Sequence, residues 1–133
     1  MADNSSKKPT LVLKDISTFP LTVNIALPPE KPKIRGYITA HAVIRDRDEV
    51  KKLREDITGG EYDSDGAVLR EMYDKLEGIA TPQEPTVALE GDEAFDYVIE
   101  GKYNVYLIGA LMAAYFEHFD EARAKNFGRS RVR

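Results

Sequence analysis

The chain has no cysteine and no tryptophan among its 133 residues. Without thiols it forms no disulfide, offers no thiolate to zinc and has no cysteine nucleophile. Histidine is scarce as well, with only His41 and His118. No serine lies in a GxSxG context, and neither GxGxxG nor GxxxxGK[ST] occurs. The sequence therefore shows no nucleophile elbow and no phosphate-cradling loop. Long hydrophobic runs are also missing. The uncharged stretch from Asn104 to Phe116 falls short of the roughly 20 residues that span a bilayer. The opening MADNSSKKPT is polar and no apolar core of a signal peptide follows it, so the expected location is the cytoplasm.

Charge, by contrast, is abundant at 32% of residues, with a net value of −4. It is unevenly placed. Of 19 lysines and arginines, five lie in residues 123–133, where there is no acid; the other 122 residues hold 14 basic groups against 23 acidic ones. An acidic body repels nucleic acid at long range. The aromatics agree with that exclusion, because they sit beside acids or in apolar runs and not interleaved with lysine and arginine in a basic groove. Arg129, Arg131 and Arg133 are candidate contacts to an anionic partner, although such a tail is more often simply solvated.

The densest apolar stretch runs from Lys102 to Asn126. Val105, Ile108, Leu111, Met112, Tyr115, Phe116, Phe119 and Ala122 recur at three- and four-residue spacing, which on a helix makes one broad stripe. The other side carries Tyr106, Gly109, Ala110 and Ala113, which are small or apolar. A helix apolar on nearly every side needs cover on nearly every side. The rest of the chain plus a second copy or a partner is the expected cover. Tyr103, Tyr106, Ala110 and Ala113 are accordingly candidate partner-binding residues.

Upstream, Leu21, Val23, Ile25 and Leu27 alternate with polar or small residues, as in a strand with one buried face. Pro28, Pro29 and Pro32 break the pattern. A second strand is expected from about Lys33 to Ile44, making an antiparallel hairpin, and Leu11–Leu13 reads as a short strand. Asp46 with Glu49 forms a capping-box pattern ahead of Val50, Leu53 and Ile57, and Gly59-Gly60 ends that helix. Asp63-Ser64-Asp65-Gly66 starts a second helix, whose stripe of Val68, Leu69, Met72, Tyr73 and Leu76 runs to Gly78. After a loop over 79–91, Asp92 is expected to cap a brief helix with Phe95, Val98 and Ile99 inside. The fold class is thus α+β, an N-terminal antiparallel β-hairpin followed by about four helices, the last long and central. Residues 1–10 read as a disordered N-terminus, 11–126 as a single domain and 127–133 as a basic flexible tail.

Two metal readings are outweighed by plainer ones. Glu61-x-Asp63-x-Asp65-Gly66 is similar to the start of an EF-hand loop, but the twelfth position, which needs a bidentate glutamate, is Met72. His118 among Glu117, Asp120 and Glu121 reads as a solvated helix face. No catalytic residue, cofactor site or metal site is assigned.

The order of elements resembles the tail assembly chaperones of long-tailed, lambda-like bacteriophages. Four stretches carry the resemblance: the strand pair TFPLTVNIALP and GYITAHAVIRDRDEVKKL, a helix ending in a glycine-containing turn, VLREMYDKLEGI, the short helix GDEAFDYVI, and the closing alanine-rich helix ALMAAYFEHFDEARAKN. It spans about Phe19 to Asn126. Many family members have Gly-Trp where this chain has Gly78-Ile79. The resemblance implies a non-enzymatic protein of the host cytoplasm that binds the tape measure protein and is absent from the mature virion. It also implies contact with the tail tube protein, often through a longer frameshifted form, and self-association is compatible with it. The readings left beside it are a structural tail or head–tail completion protein and a small ligand-binding domain or enzyme.

Overall fold

The computed structural model describes residues 10–11, 15–27 and 35–131, with side chains described as far as Ala122. The order is β1 (Thr18–Ala26), β2 (Arg35–Val43), α1 (Arg47–Thr58), α2 (Asp65–Met72), β3 (Tyr73–Glu77), α3 (Gly91–Glu100) and α4 (Asn104–Arg131). This is an α+β architecture in which helices cover one face of a three-stranded antiparallel sheet ordered β1-β2-β3.

The hairpin follows from alternation. Val23 and Ile25 of β1 and Ile38, Ala40 and Ala42 of β2 are buried on one face, and Val23 pairs with Ile38. On the other face Thr22 and Asn24 are exposed beside Tyr37 and Thr39. The turn expected at Pro28–Pro32 lies outside the described residues, as do residues 1–9 and most of the strand expected at Leu11–Leu13. Leu11 itself is described without regular structure.

Helix α1 starts as its sequence dictates. Asp46 accepts from the Glu49 amide at 2.8 Å while the Glu49 carboxylate accepts from the Asp46 amide at 2.9 Å. Both freed donors are thereby satisfied. Ser64 caps α2 by accepting from Ala67 N–H. Asp92, expected as a cap, lies inside the first turn of α3; the cap position is Glu90, whose side chain makes no capping bond. The carboxylate of Asp92 is engaged by Arg70 instead.

The main departure is β3. The stripe from Val68 to Leu76 is expected to be one helix, but α2 stops at Met72 and Tyr73–Glu77 forms the third strand. A register shift lies between His41 and Ala42, where His41 pairs with Lys75 and Ala42 with Tyr73. Asp74 is the extra residue of a bulge. It puts Tyr73 and Leu76, three apart, on the same buried face, so the strand imitates helical spacing.

Helix α4 crosses the covered face of the sheet. Leu107, Leu111 and Tyr115 are its most buried residues, while Val105, expected in the core stripe, is 76% exposed. The Tyr73 hydroxyl donates to the Leu111 carbonyl at 2.6 Å, and the Tyr115 hydroxyl to Val43 at 2.8 Å. These bonds tie α4 to β3 and to the end of β2. The helix continues to Arg131, past the expected end at Asn126 and into the stretch expected to be a flexible tail.

Candidate partner-binding groove

With Leu107, Leu111 and Tyr115 turned inward, the two flanks of α4 have different neighbours. One flank is occupied by α1. Arg54 holds Asp120 at 2.7 Å and stacks over the Phe116 ring at 4.6 Å, so Phe116 is covered by a cation and its alkyl stem. The other flank carries Tyr103, Tyr106, Ala110, Ala113, Glu117 and Glu121, and it faces the outer edge of β1.

Strand and helix run antiparallel here. The Phe19 ring lies 4.4 Å from His118 and 6.3 Å from Phe119. At the opposite end, Ile25 of β1 and Leu107 of α4 line one apolar pocket. Between the ends lies a groove of about 400 Å³ with Leu21–Asn24 on the strand side and Ala110, Ala113, Ala114, Glu117, His118 and Glu121 on the helix side. The alanines leave the helix backbone close to whatever enters. Glu117 and Glu121 make one end acidic.

The apolar pocket has a volume of about 430 Å³. Tyr37 of β2, Tyr97 of α3 and Tyr103 in the turn just before α4 frame it with Ile79, Pro82 and Pro85 of the loop after β3. Gly78, at φ +90°, turns that loop back; a side chain there would be strained, and its Cβ would sit 3.3 Å from the Tyr37 carbonyl. Leu89 N–H donates to the Ile79 carbonyl at 2.8 Å and closes the loop.

Of the residues singled out from the sequence, Ala110 and Ala113 line the groove and Tyr103 lines the pocket. Tyr106, 46% exposed, lies on the same flank between them. Arg129 and Arg131 fall in the last turns of α4 with side chains outside the described residues, and Arg133 lies outside them altogether. Sequence reasoning missed the edge of β1, together with Tyr97, Glu117 and Glu121 as partner contacts; Tyr37 was legible as part of the hairpin face that carries Tyr37 and His41, the next candidate surface after α4. Pro20 was an available signal for the edge, because proline is confined to outer strands and bulges.

The open face of the sheet carries the only strongly paired histidine among the described residues. His41 Nε2 and Glu77 Oε1 are 2.5 Å apart, and Lys75 lies 3.4 Å from the same carboxylate. The bond from His41, then that from Lys75, holds the Glu77 carboxyl below its usual range. Among the described residues no three acidic or histidine side chains are placed to hold a metal ion, and no helix is long and apolar enough to cross a membrane. Comparison with protein-family models, with curated proteins and with solved structures finds no match.

Proposed function

We infer that the chain is a phage tail assembly chaperone, a non-enzymatic protein that holds the tape measure protein in the host cytoplasm and does not enter the virion. The observation that carries this reading is the uncharged, uncovered side of α4. Val105 and Tyr106 are 76% and 46% exposed, and Gly109 and Ala113 beside them are exposed too. A contiguous apolar strip of this kind on an otherwise acidic body suits the apolar face of a long amphipathic helix. Small residues permit close approach, and Tyr106 supplies an aromatic anchor with a polar tip. The acidic remainder keeps such a complex in solution. The resemblance from Phe19 to Asn126 points the same way, and the α+β order of elements is compatible with it.

The test is co-expression with the tape measure protein of the same phage, followed by co-purification and by mass spectrometry of finished virions. Co-purification with the tape measure protein, lost in Ala113→Glu, together with absence from virions, is the expected outcome. A fixed copy number in purified particles would refute the chaperone reading in favour of a structural tail or completion protein. Failure of the folded chain to retain the tape measure protein would refute it as well.

A further inference from the structure

Strand β1 is an outer strand, and no described strand pairs with its far side. The bond from Ile44 N–H to the Ser17 carbonyl fixes which of its backbone groups look inward. Antiparallel ladders alternate, so Phe19, Leu21, Val23 and Ile25 turn their N–H and C=O toward β2. The backbone groups of Thr22, Asn24 and Ala26 then face away from the sheet. Pro20, with no N–H to offer, falls in that outward set, where its missing donor leaves the β1–β2 ladder intact.

We propose that this edge takes up an extended, cationic segment of a partner protein as a fourth strand, seated in the groove beside α4. An added antiparallel strand would make its paired bonds to Thr22 and Asn24. Its residue opposite Val23 would lie over Ala110, Ala113 and Ala114. Its residue opposite Leu21, nearer its carboxyl end, would reach Glu117 and Glu121. Backbone pairing of this kind supplies affinity, and the alternate side chains supply choice. Here the choice is electrostatic, because among the described residues two carboxylates and no lysine or arginine line the groove. A second copy is the poorer occupant, since TFPLTVNIA of its β1 carries no charge to meet those carboxylates. The proposal does not rest on the phage reading, whose partner surface is the outward side of α4 at Val105, Tyr106, Gly109 and Ala113; the two surfaces meet at Ala113.

The probe is a capped peptide of alternating threonine and alanine with two lysines at groove-facing positions near its carboxyl end, titrated into the isotope-labelled full chain. Saturable amide shifts along β1 are expected, with exchange at Thr22 and Asn24 slowed at least about tenfold. Methylating alternate peptide nitrogens of the probe should abolish binding. Glu117→Gln combined with Glu121→Gln, both exposed, should weaken it about three- to tenfold and remove its salt dependence. The proposal is overturned if no saturable shift appears up to about 1 mM peptide, or if the methylated probe binds equally well. Equal binding of a lysine-free probe overturns it too. So does slow exchange of Thr22 and Asn24 in the free chain, which would place a second copy or another part of this chain on the edge.

Discussion

Removing one oxygen atom from Tyr115 isolates the joint between the sheet and α4. The side chain is fully buried. Its hydroxyl donates to the Val43 carbonyl at 2.8 Å and accepts from Arg45 Nη1 at 2.8 Å. In Tyr115→Phe the ring stays, so its T-shaped packing on Tyr73 at 5.7 Å survives and no cavity opens. The loss is polar. The Val43 carbonyl is left without this donor, and Arg45 keeps only its bond to the Glu71 carbonyl at 2.9 Å and the more distant Glu71 carboxylate. A stranded, part-buried carbonyl costs about 1–3 kcal/mol, so a destabilisation of about 2 kcal/mol is expected. For a chain of this size that lowers Tm by about 8 °C. Urea unfolding followed by circular dichroism measures it, with an unchanged m-value showing that only stability moved. Arg45→Met closes a double-mutant cycle, in which the pair should couple by about 1 kcal/mol. A loss below about 0.5 kcal/mol, the range of an ordinary surface change, would refute the claim that this hydroxyl joins the layers.

Other perturbations test other joints. Tyr73 has its hydroxyl pKa pushed up by burial, with the neighbouring Tyr115 adding to the effect. Its contribution to stability is complete below the unfolded tyrosine pKa of about 10 and is lost as pH rises toward the raised folded value, so Tyr73→Phe should flatten the alkaline fall seen in urea midpoints above pH 10. Glu77 moves in the opposite sense. Its lowered pKa gives stability that is present above about pH 4.5 and lost as pH falls through the folded value, and Glu77→Gln should shrink that acid-side loss in the same titration. Gly101→Ala would drive a Cβ into the Tyr97 carbonyl at the corner between α3 and α4; a cost of about 1–3 kcal/mol is expected in thermal melts. Phe119 is only half-buried, so Phe119→Ala should cost less than the roughly 3–5 kcal/mol of a fully buried phenylalanine, a difference that chemical denaturation resolves.

What the sequence discloses divides along the line between local and non-local physics. The capping box of Asp46 and Glu49 and the start of α2 at Ser64 are decided within a few residues, and both are legible. The hairpin is legible because the buried set Val23, Ile25, Ile38, Ala40 and Ala42 keeps strict alternation. Strand β3 is not, because a bulge at Asp74 erases the alternation that identifies a strand, while Tyr73 and Leu76 prolong the helical spacing of α2. Only the partner strand β2, more than thirty residues away, selects the extended form.

The register of α4 about its own axis shows the same limit, and it decides where the candidate site lies. Between Asn104 and Phe116 no charge marks a solvent side, so several apolar stripes are nearly equivalent on sequence grounds. The core chooses among them by shape and hydrogen bonding. Tyr115 must reach the Val43 carbonyl, and the Leu111 carbonyl must meet the Tyr73 hydroxyl. Those two bonds fix the rotation, bring Leu107 inside and turn Val105 out. Ala110 and Ala113 therefore come to rest beside β1 instead of lying opposite the whole fold. Their small size was readable from the start. The strand edge that turns them into one wall of a groove is a product of tertiary pairing, and it gives that flank backbone hydrogen-bonding capacity that an isolated helix face lacks.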